Sequence, residues 1–222
     1  SIPSSYVIWE QQQVVGRAIR IQSNDTINLN AANFKVGSSD GTMLLSSGSL
    51  GTDYRVLTYQ GNLSYSSAFL IVATQNATTV TVTPSLNTSQ GSAANVPFNV
   101  SMNQGDVYNV QSLNANGADM TSSTVTSNYP VAVFGSARCS NVPTGVTYCD
   151  MLYEQQIPTV AWGTEFVTGR LMGRSGGDFF RVMAHTNGTQ ISVNGTPTTT
   201  LNAGGRYDVT LNNGNWITAS AP

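Results

Sequence analysis

Short runs of alternating apolar and polar residues constrain the fold of this chain more than any other feature. The runs are rich in Val, Ile, Thr, Tyr and Phe and are bounded by Gly, Asn, Pro or Ser, which is typical of strands. No stretch of a dozen residues keeps the i, i+3, i+4 apolar spacing of a capped helix. The predicted strands are residues 18–21, 26–29, 54–58, 69–73, 79–83, 107–110, 124–127, 131–134, 179–184, 190–193, 207–211 and 216–219.

The chain also contains an internal repeat of about 105 residues, in which three sequence blocks recur in the same order. Together, the alternation and the repeat predict an all-β protein of antiparallel β-sandwich or jelly-roll-like modules in tandem. A propeller-like closure of the repeated strands is the alternative. The recurring blocks are 51–54 with 163–166, 73–82 with 184–193, and 104–110 with 204–209, and a further block at 125–133 echoes 21–29 and 217–222.

The repeat divides the chain into three predicted parts. Residues 1–48 form an N-terminal segment that completes a β module, residues 49–158 form the first full repeat, and residues 159–222 form a second, shortened repeat. We expect strands from the two ends to complete each other, or a neighbouring chain to supply the partner, because an unpaired strand edge invites aggregation. This expectation predicts a homo-oligomer, with a trimer favoured.

Charged residues are scarce, at 9% of the chain against about 25% in an average soluble domain. A net charge of −2 and a single lysine, Lys35, do not supply the Lys/Arg density that phosphate neutralisation requires. Nucleic acid is therefore not expected as a partner. No apolar run approaches the roughly 20 residues of a membrane-spanning helix, so direct membrane insertion is not expected either.

Cys139 and Cys149 are the only cysteines, and their spacing suits a bridge across a hairpin-like loop. A zinc site needs more ligands than this chain offers, since it has a single histidine and no other cysteine. We predict a disulfide, an oxidising compartment, and no metal or cofactor. The disulfide either holds a ligand-binding loop rigid or only stabilises a long loop that binds nothing, and the sequence leaves both interpretations open.

The segment around the cysteines carries several motifs: Cys139-Ser140-Asn141-Val142-Pro143, Tyr148-Cys149-Asp150, Leu152-Tyr153-Glu154-Gln155, and Trp162-Gly163-Thr164-Glu165-Phe166. These motifs resemble the IgGFc-binding family, which includes a domain of a mucus protein and domains of many bacterial cell-surface proteins. The resemblance covers most of the chain and is densest from residue 125 to residue 166. The resemblance implies an extracellular or surface-displayed binding role without enzyme activity. A bacterial outer surface is the favoured location.

Aromatic, amide, guanidinium and carboxylate side chains cluster around the predicted bridge. Such a mixture suits glycan recognition, because a pyranose stacks on a ring and its hydroxyls pair with polar groups. The alternative is a polar network that fixes the junction between repeats. Asp40 and Asp150 occupy equivalent positions in the repeat, which favours a structural role for them over ligand binding. The candidate ligand-binding residues are Arg138, Asn141, Tyr148, Asp150, Tyr153 and Glu154.

The tryptophans and the histidine receive structural predictions. Trp162 is expected in a core or junction, Trp216 at a half-exposed strand end, and Trp9 against a stalk or partner chain. His185 has no accompanying triad partners, so we predict no catalytic role for it.

Three functions follow from the sequence. The first is a non-enzymatic, secreted or cell-surface adhesin domain at a fibre tip, which recognises glycans or glycoproteins on another surface. The second is a structural spacer. The third is a polysaccharide hydrolase that would need Glu154 paired with Asp150 or Glu165, and no further feature supports it.

Overall fold

A computed structural model describes residues 11–173 and 175–222, with the side chain of Lys35 excepted; Trp9 lies outside the described residues. The described chain consists of antiparallel strands joined by turns, with short 3-10 segments at Ser47–Ser49 and Thr159–Ala161. The all-β prediction is confirmed. Within the described residues, no helix has the length and apolarity needed to cross a membrane.

The strands are numbered in chain order. They are β1 (Val14–Val15), β2 (Asn30–Lys35), β3 (Ser38–Met43), β4 (Gly51–Arg55), β5 (Ser67–Ala73), β6 (Thr78–Thr83), β7 (Phe98–Met102), β8 (Val107–Gln111), β9 (Thr124–Ser140), β10 (Asp150–Gln155), β11 (Glu165–Thr168), β12 (Asp178–Met183), β13 (Thr189–Val193), β14 (Thr196–Leu201), β15 (Arg206–Leu211) and β16 (Asn215–Ala219).

The chain divides into two compact units. Unit 1 comprises the described residues up to Asn141 together with Gly145–Val160, and unit 2 comprises Val142–Thr144 and Ala161–Pro222. The predicted boundaries after residues 48 and 158 describe the sequence repeat, and they remain a prediction.

The long strand β9 organises unit 1. Its first half pairs with β6 on one edge and β4 on the other, while its second half pairs with β5 and β10. Strand β7 extends the sheet from β6, and β8 followed by β1 extends it from β5. Both halves of the sheet contribute to one core, whose largest fully buried members include Tyr54, Phe69, Ile71, Met102 and Met120.

Unit 2 repeats the strand pairings of unit 1. The order β11-β16-β13-β14 matches β4-β9-β6-β7, and the pair β12-β15 matches β5-β8. Its core is smaller and centres on Ala184, Ile191, Leu201 and Ile217. Both sheets of unit 2 supply apolar residues to this core. The repeated blocks in the sequence occupy corresponding strands of the two units.

Two predicted strands are wrong. Residues 18–21 and 26–29 are irregular and have no strand partner among the described residues. The isoleucines of these segments, at positions 19, 21 and 27, are about half exposed. The alternation of apolar and polar residues there therefore does not correspond to a buried strand face. Conversely, seven strands lie outside the predicted ones. Strand β1 is only two residues long. The sequences of the others are polar or lack a clean alternation; they are β2, β3, β7, β10, β11 and β14.

Candidate binding surface

The disulfide closes the loop between β9 and β10. Cys139 is buried near the end of β9 and is bonded to Cys149, with the two Cα atoms 5.0 Å apart. The predicted disulfide is therefore present. Together with the β9–β10 ladder, which continues to the pair Ser140–Asp150, it holds both ends of the loop at one end of unit 1.

The loop at residues 60–66 supports the disulfide loop from the side. The Asn62 side-chain amide donates to the side-chain oxygen of Asn141, whose own amide donates to the Val146 carbonyl at 2.7 Å. The Asn62 backbone N–H donates to the Cys139 carbonyl at 2.9 Å. Only glycine fits at position 61, because a Cβ there would lie 2.0 Å from the Tyr65 carbonyl oxygen. These contacts fix the conformation of both loops.

The β2–β3 hairpin contacts the outer edge of β10 through side chains. The Ser38 hydroxyl donates to Asp150 Oδ1 at 2.6 Å, and the Tyr153 N–H donates to Asp40 Oδ2 at 2.7 Å. The hydrogen bond from Ser38 is the main reason that the pKa of Asp150 lies below its usual value. Asp40 and Asp150 are predicted to be equivalent by the sequence repeat. In the structure, Asp40 on β3 accepts from the Tyr153 N–H of β10, and Asp150 on β10 accepts from the Ser39 N–H of β3.

These three segments bring large apolar side chains to the same end of unit 1. Tyr148 is 95% exposed, next to the bridge, while Phe34 and Val36, at 79% and 90% exposed, flank the hairpin turn that docks beside Asp150. We name this region the tip surface. Its members are Phe34, Val36, Leu63, Tyr65, Arg138, Val146 and Tyr148.

Two residues of the tip surface have unusual backbone conformations. Leu63 and Tyr148 lie at φ values of 56° and 65°, in the left-handed region that bulky residues seldom adopt. Such strain costs of order 1–3 kcal/mol and persists only where surrounding contacts impose it. Here the disulfide and the Asn62–Asn141 amide pair supply those contacts and hold both side chains outward.

The structure places Arg138, Asn141, Tyr148 and Asp150 beside the bridge. Tyr153 and Glu154 lie farther along β10, and most of the functional groups of the six residues are already engaged. Tyr153 stacks on Phe134 with ring centroids 5.4 Å apart and planes 4° from parallel, and burial raises its pKa. The Arg138 guanidinium lies 4.8 Å from the centroid of the Tyr65 ring. Glycan binding by these residues remains a prediction.

Glu154 lies on β10, between Tyr153 and Gln155. It accepts a hydrogen bond from the Thr42 hydroxyl at 3.0 Å. Burial raises its pKa, with a further contribution from the negative charge of Asp40. Asp150 stands four residues away on the same strand, about 13 Å at strand spacing, beyond the roughly 5–9.5 Å of a glycosidase pair.

Sequence reasoning missed Phe34, Val36, Leu63 and Tyr65. The available signal was modest: two large apolar residues flank a lysine before Gly37, and two more stand in a polar loop after Gly61. Neither segment alternates with a strand period, so neither could serve as a core face.

The remaining aromatic predictions concern unit 2. Trp162 packs edge-on against His185, with ring centroids 5.9 Å apart. Trp216 is half exposed, and its indole N–H donates to Glu165 Oε1 at 2.6 Å. Among the described residues, no group of three or more His, Cys, Asp or Glu side chains could hold a metal ion.

Comparison with known proteins adds a family. A family model described as IgGFc binding protein matches residues 40–222. The human protein named IgGFc-binding protein is 32% identical over 191 residues, which cover 82% of this chain and 3% of that protein. The chain therefore spans a small fraction of the length of this relative. No solved structure matches the chain.

Proposed function

Because this chain belongs to the IgGFc-binding protein family, a binding family rather than a catalytic one, we propose that it is an extracellular domain that binds the Fc part of immunoglobulin G through the tip surface. The name of the human relative supplies the partner. The observation that carries the proposal is the outward presentation of Tyr148 on a loop held by a disulfide.

The composition of the tip surface supports a protein partner. Tyrosine and arginine are enriched among the residues that dominate protein–protein binding energy, and they act best when flanked by apolar neighbours that exclude water. Tyr148, Tyr65 and Arg138 stand among exposed Leu63 and Val146. Rigid presentation also reduces the entropy lost on binding, because the loops are already ordered.

The internal hydrogen bonds favour contact with protein over contact with sugar. The Asp150 carboxylate accepts bonds from Ser38, Ser39 and Met151. The Asn141 amide uses both its oxygen and its nitrogen. A glycan would have to compete for these groups, whereas an apolar protein surface would not. Stacking of a pyranose on the exposed Tyr148 ring is the route that remains for the glycan alternative.

The extracellular location in this proposal is supported by the disulfide, since such bonds persist in oxidising compartments. A bacterial outer surface, a position at a fibre tip and a trimeric assembly remain predictions. Weak binding by several copies would suit an adhesin, because linked sites gain avidity without new contacts.

Surface plasmon resonance on immobilised human IgG Fc tests the proposal. We expect saturable binding by the wild-type chain, a loss of at least about 30-fold in affinity for Tyr148→Ala, corresponding to truncation of a hot-spot residue, and no change for Tyr129→Ala. Tyr129 is a suitable control because it is an exposed tyrosine on β9 outside the tip surface.

A second arm uses Fc from which the glycan has been removed enzymatically. Retained affinity indicates recognition of the protein surface, and lost affinity indicates the glycan alternative. If the wild-type chain does not bind Fc, the proposal is wrong and the structural spacer becomes the better account. Equal affinities of Tyr148→Ala and wild type would remove the tip surface from the binding site.

A further inference from the structure

The outer edge of β10 is covered in a regular register by side chains of β3. The backbone N–H groups of Met151, Tyr153 and Gln155 point away from β9, and each donates to a side-chain oxygen of the hairpin. The acceptors are Ser38 Oγ at 3.3 Å, Asp40 Oδ2 at 2.7 Å and Thr42 Oγ1 at 3.1 Å. The Met151 N–H also donates to Asp150 Oδ1 at 2.8 Å. Because alternate residues of both strands take part, the three oxygens stand where the carbonyls of a neighbouring strand would stand.

The cover is polar and incomplete. Strand β10 forms its ladder with β9, while β2 and β3 form a separate two-stranded sheet, so within the described chain no backbone ladder joins β3 to β10. The side-chain oxygens of the hairpin accept from the outward N–H groups of β10, but side-chain oxygens of this kind offer no backbone ladder to its outward carbonyls. A true strand would satisfy both kinds of group.

The hairpin is also held with little apolar burial. Phe34, Val36 and Met43 are mostly exposed, and Thr42 is the one buried residue among its described side chains. Segments with few buried apolar contacts open at low free-energy cost compared with the core. The hairpin therefore has the properties of a cover that can leave the edge while the sheet remains folded.

The uncovered edge would be self-complementary. Two copies of β10 related by a two-fold axis at Tyr153 would place Tyr153 opposite itself and Met151 opposite Gln155, so every outward N–H would face an outward carbonyl. In this register Glu154 lies opposite Leu152 and Asp150 opposite Gln156, so no two carboxylates face each other.

From this arrangement we propose that the β2–β3 hairpin is a removable cover over a strand-pairing edge, and that the strand which pairs when the cover leaves is β10 of a second copy. Exposed edges of this kind promote association, and natural proteins protect them with charges or covering segments. Asp40 does both here, since it places a carboxylate on the edge and accepts the central N–H.

Residue-resolved amide exchange tests the cover. In Ser38→Ala/Asp40→Ala we expect exchange of the Tyr153 amide, whose acceptor is Asp40, to rise at least tenfold. Leu152, whose amide faces β9, should keep its wild-type rate. The matched control Asn33→Ala/Ser39→Ala changes hairpin side chains that make no hydrogen bond to β10. Unchanged exchange at Tyr153 would overturn the proposal.

Sedimentation equilibrium tests the occupant. We expect Ser38→Ala/Asp40→Ala/Thr42→Val to sediment at twice the wild-type mass. Adding Met151→Pro removes an outward N–H of β10 without touching the β9 ladder. We expect this addition to weaken association at least tenfold. The wild-type exchange rate of Leu152 confirms folding; if the triple variant is unfolded, the double variant is used. A folded, uncovered variant that keeps the wild-type mass would overturn the proposal.

Discussion

Removal of the disulfide should destabilise unit 1 and leave the part of unit 2 from Ala161 onwards unchanged. Cys139 and Cys149 are separated by 10 positions and both lie in unit 1. In the chain-entropy treatment, a loop of this length restricts the unfolded chain by at most about 2.8 kcal/mol. For a unit of this size, each kcal/mol shifts the unfolding midpoint by about 2–4 °C, so Cys139→Ala/Cys149→Ala should lower it by up to about 11 °C.

Scanning calorimetry of the oxidised wild type and the double alanine variant provides the measurement. The wild type in reducing buffer serves as a chemical control, since it breaks the same bond without a substitution. We expect both to show the same loss in the transition of unit 1. The reasoning is refuted if the midpoint of unit 1 moves by less than about 1 °C, or if unit 2 loses as much stability as unit 1.

Three further predictions address the core, the sheet and the hairpin contact. Tyr54→Phe removes a buried hydroxyl that donates to the Val131 carbonyl at 2.7 Å, and should cost about 1–3 kcal/mol in urea unfolding; a cost near zero would contradict the burial argument. Gly135→Ala places a Cβ 2.4 Å from a backbone carbonyl oxygen and should cost about 1–3 kcal/mol or more, so wild-type stability would show that the backbone there can move. Asp150→Asn should reduce stability above pH 3.8, because the Ser38 hydroxyl lowers the pKa of the folded carboxyl. The wild-type advantage should disappear as the pH falls through the lowered pKa, and an advantage that persists at pH 2 would refute it.

Strand pairing explains where sequence prediction succeeded and where it failed. Runs such as 69–73 and 79–83 alternate because one face is buried, and both lie within strands of the structure. Strand β10 lacks a clean alternation and was not predicted, yet β9 offers it a complete ladder and imposes the extended conformation. Residues 26–29 alternate without any described partner strand, so the pattern alone does not produce a strand.

The repeat was detectable at the level of sequence, but its three-dimensional consequences were not. Block order alone could not show that Asp40 and Asp150, equivalent by repeat, would bond each other's strands. The cysteine spacing predicted the bridge because only two cysteines were available. The outward direction of Leu63 and Tyr148 depends on left-handed backbone conformations, which residue type does not predict for bulky side chains.

The most direct test of the central claim is a hydrogen-exchange footprint of the chain with and without bound human IgG Fc. We predict that binding slows exchange in the segments of the tip surface, at residues 34–37, 60–66 and 145–149, and leaves unit 2 from Ala161 onwards unchanged. Slowed exchange confined to unit 2, or to the strands of unit 1 away from these three loops, would contradict the account.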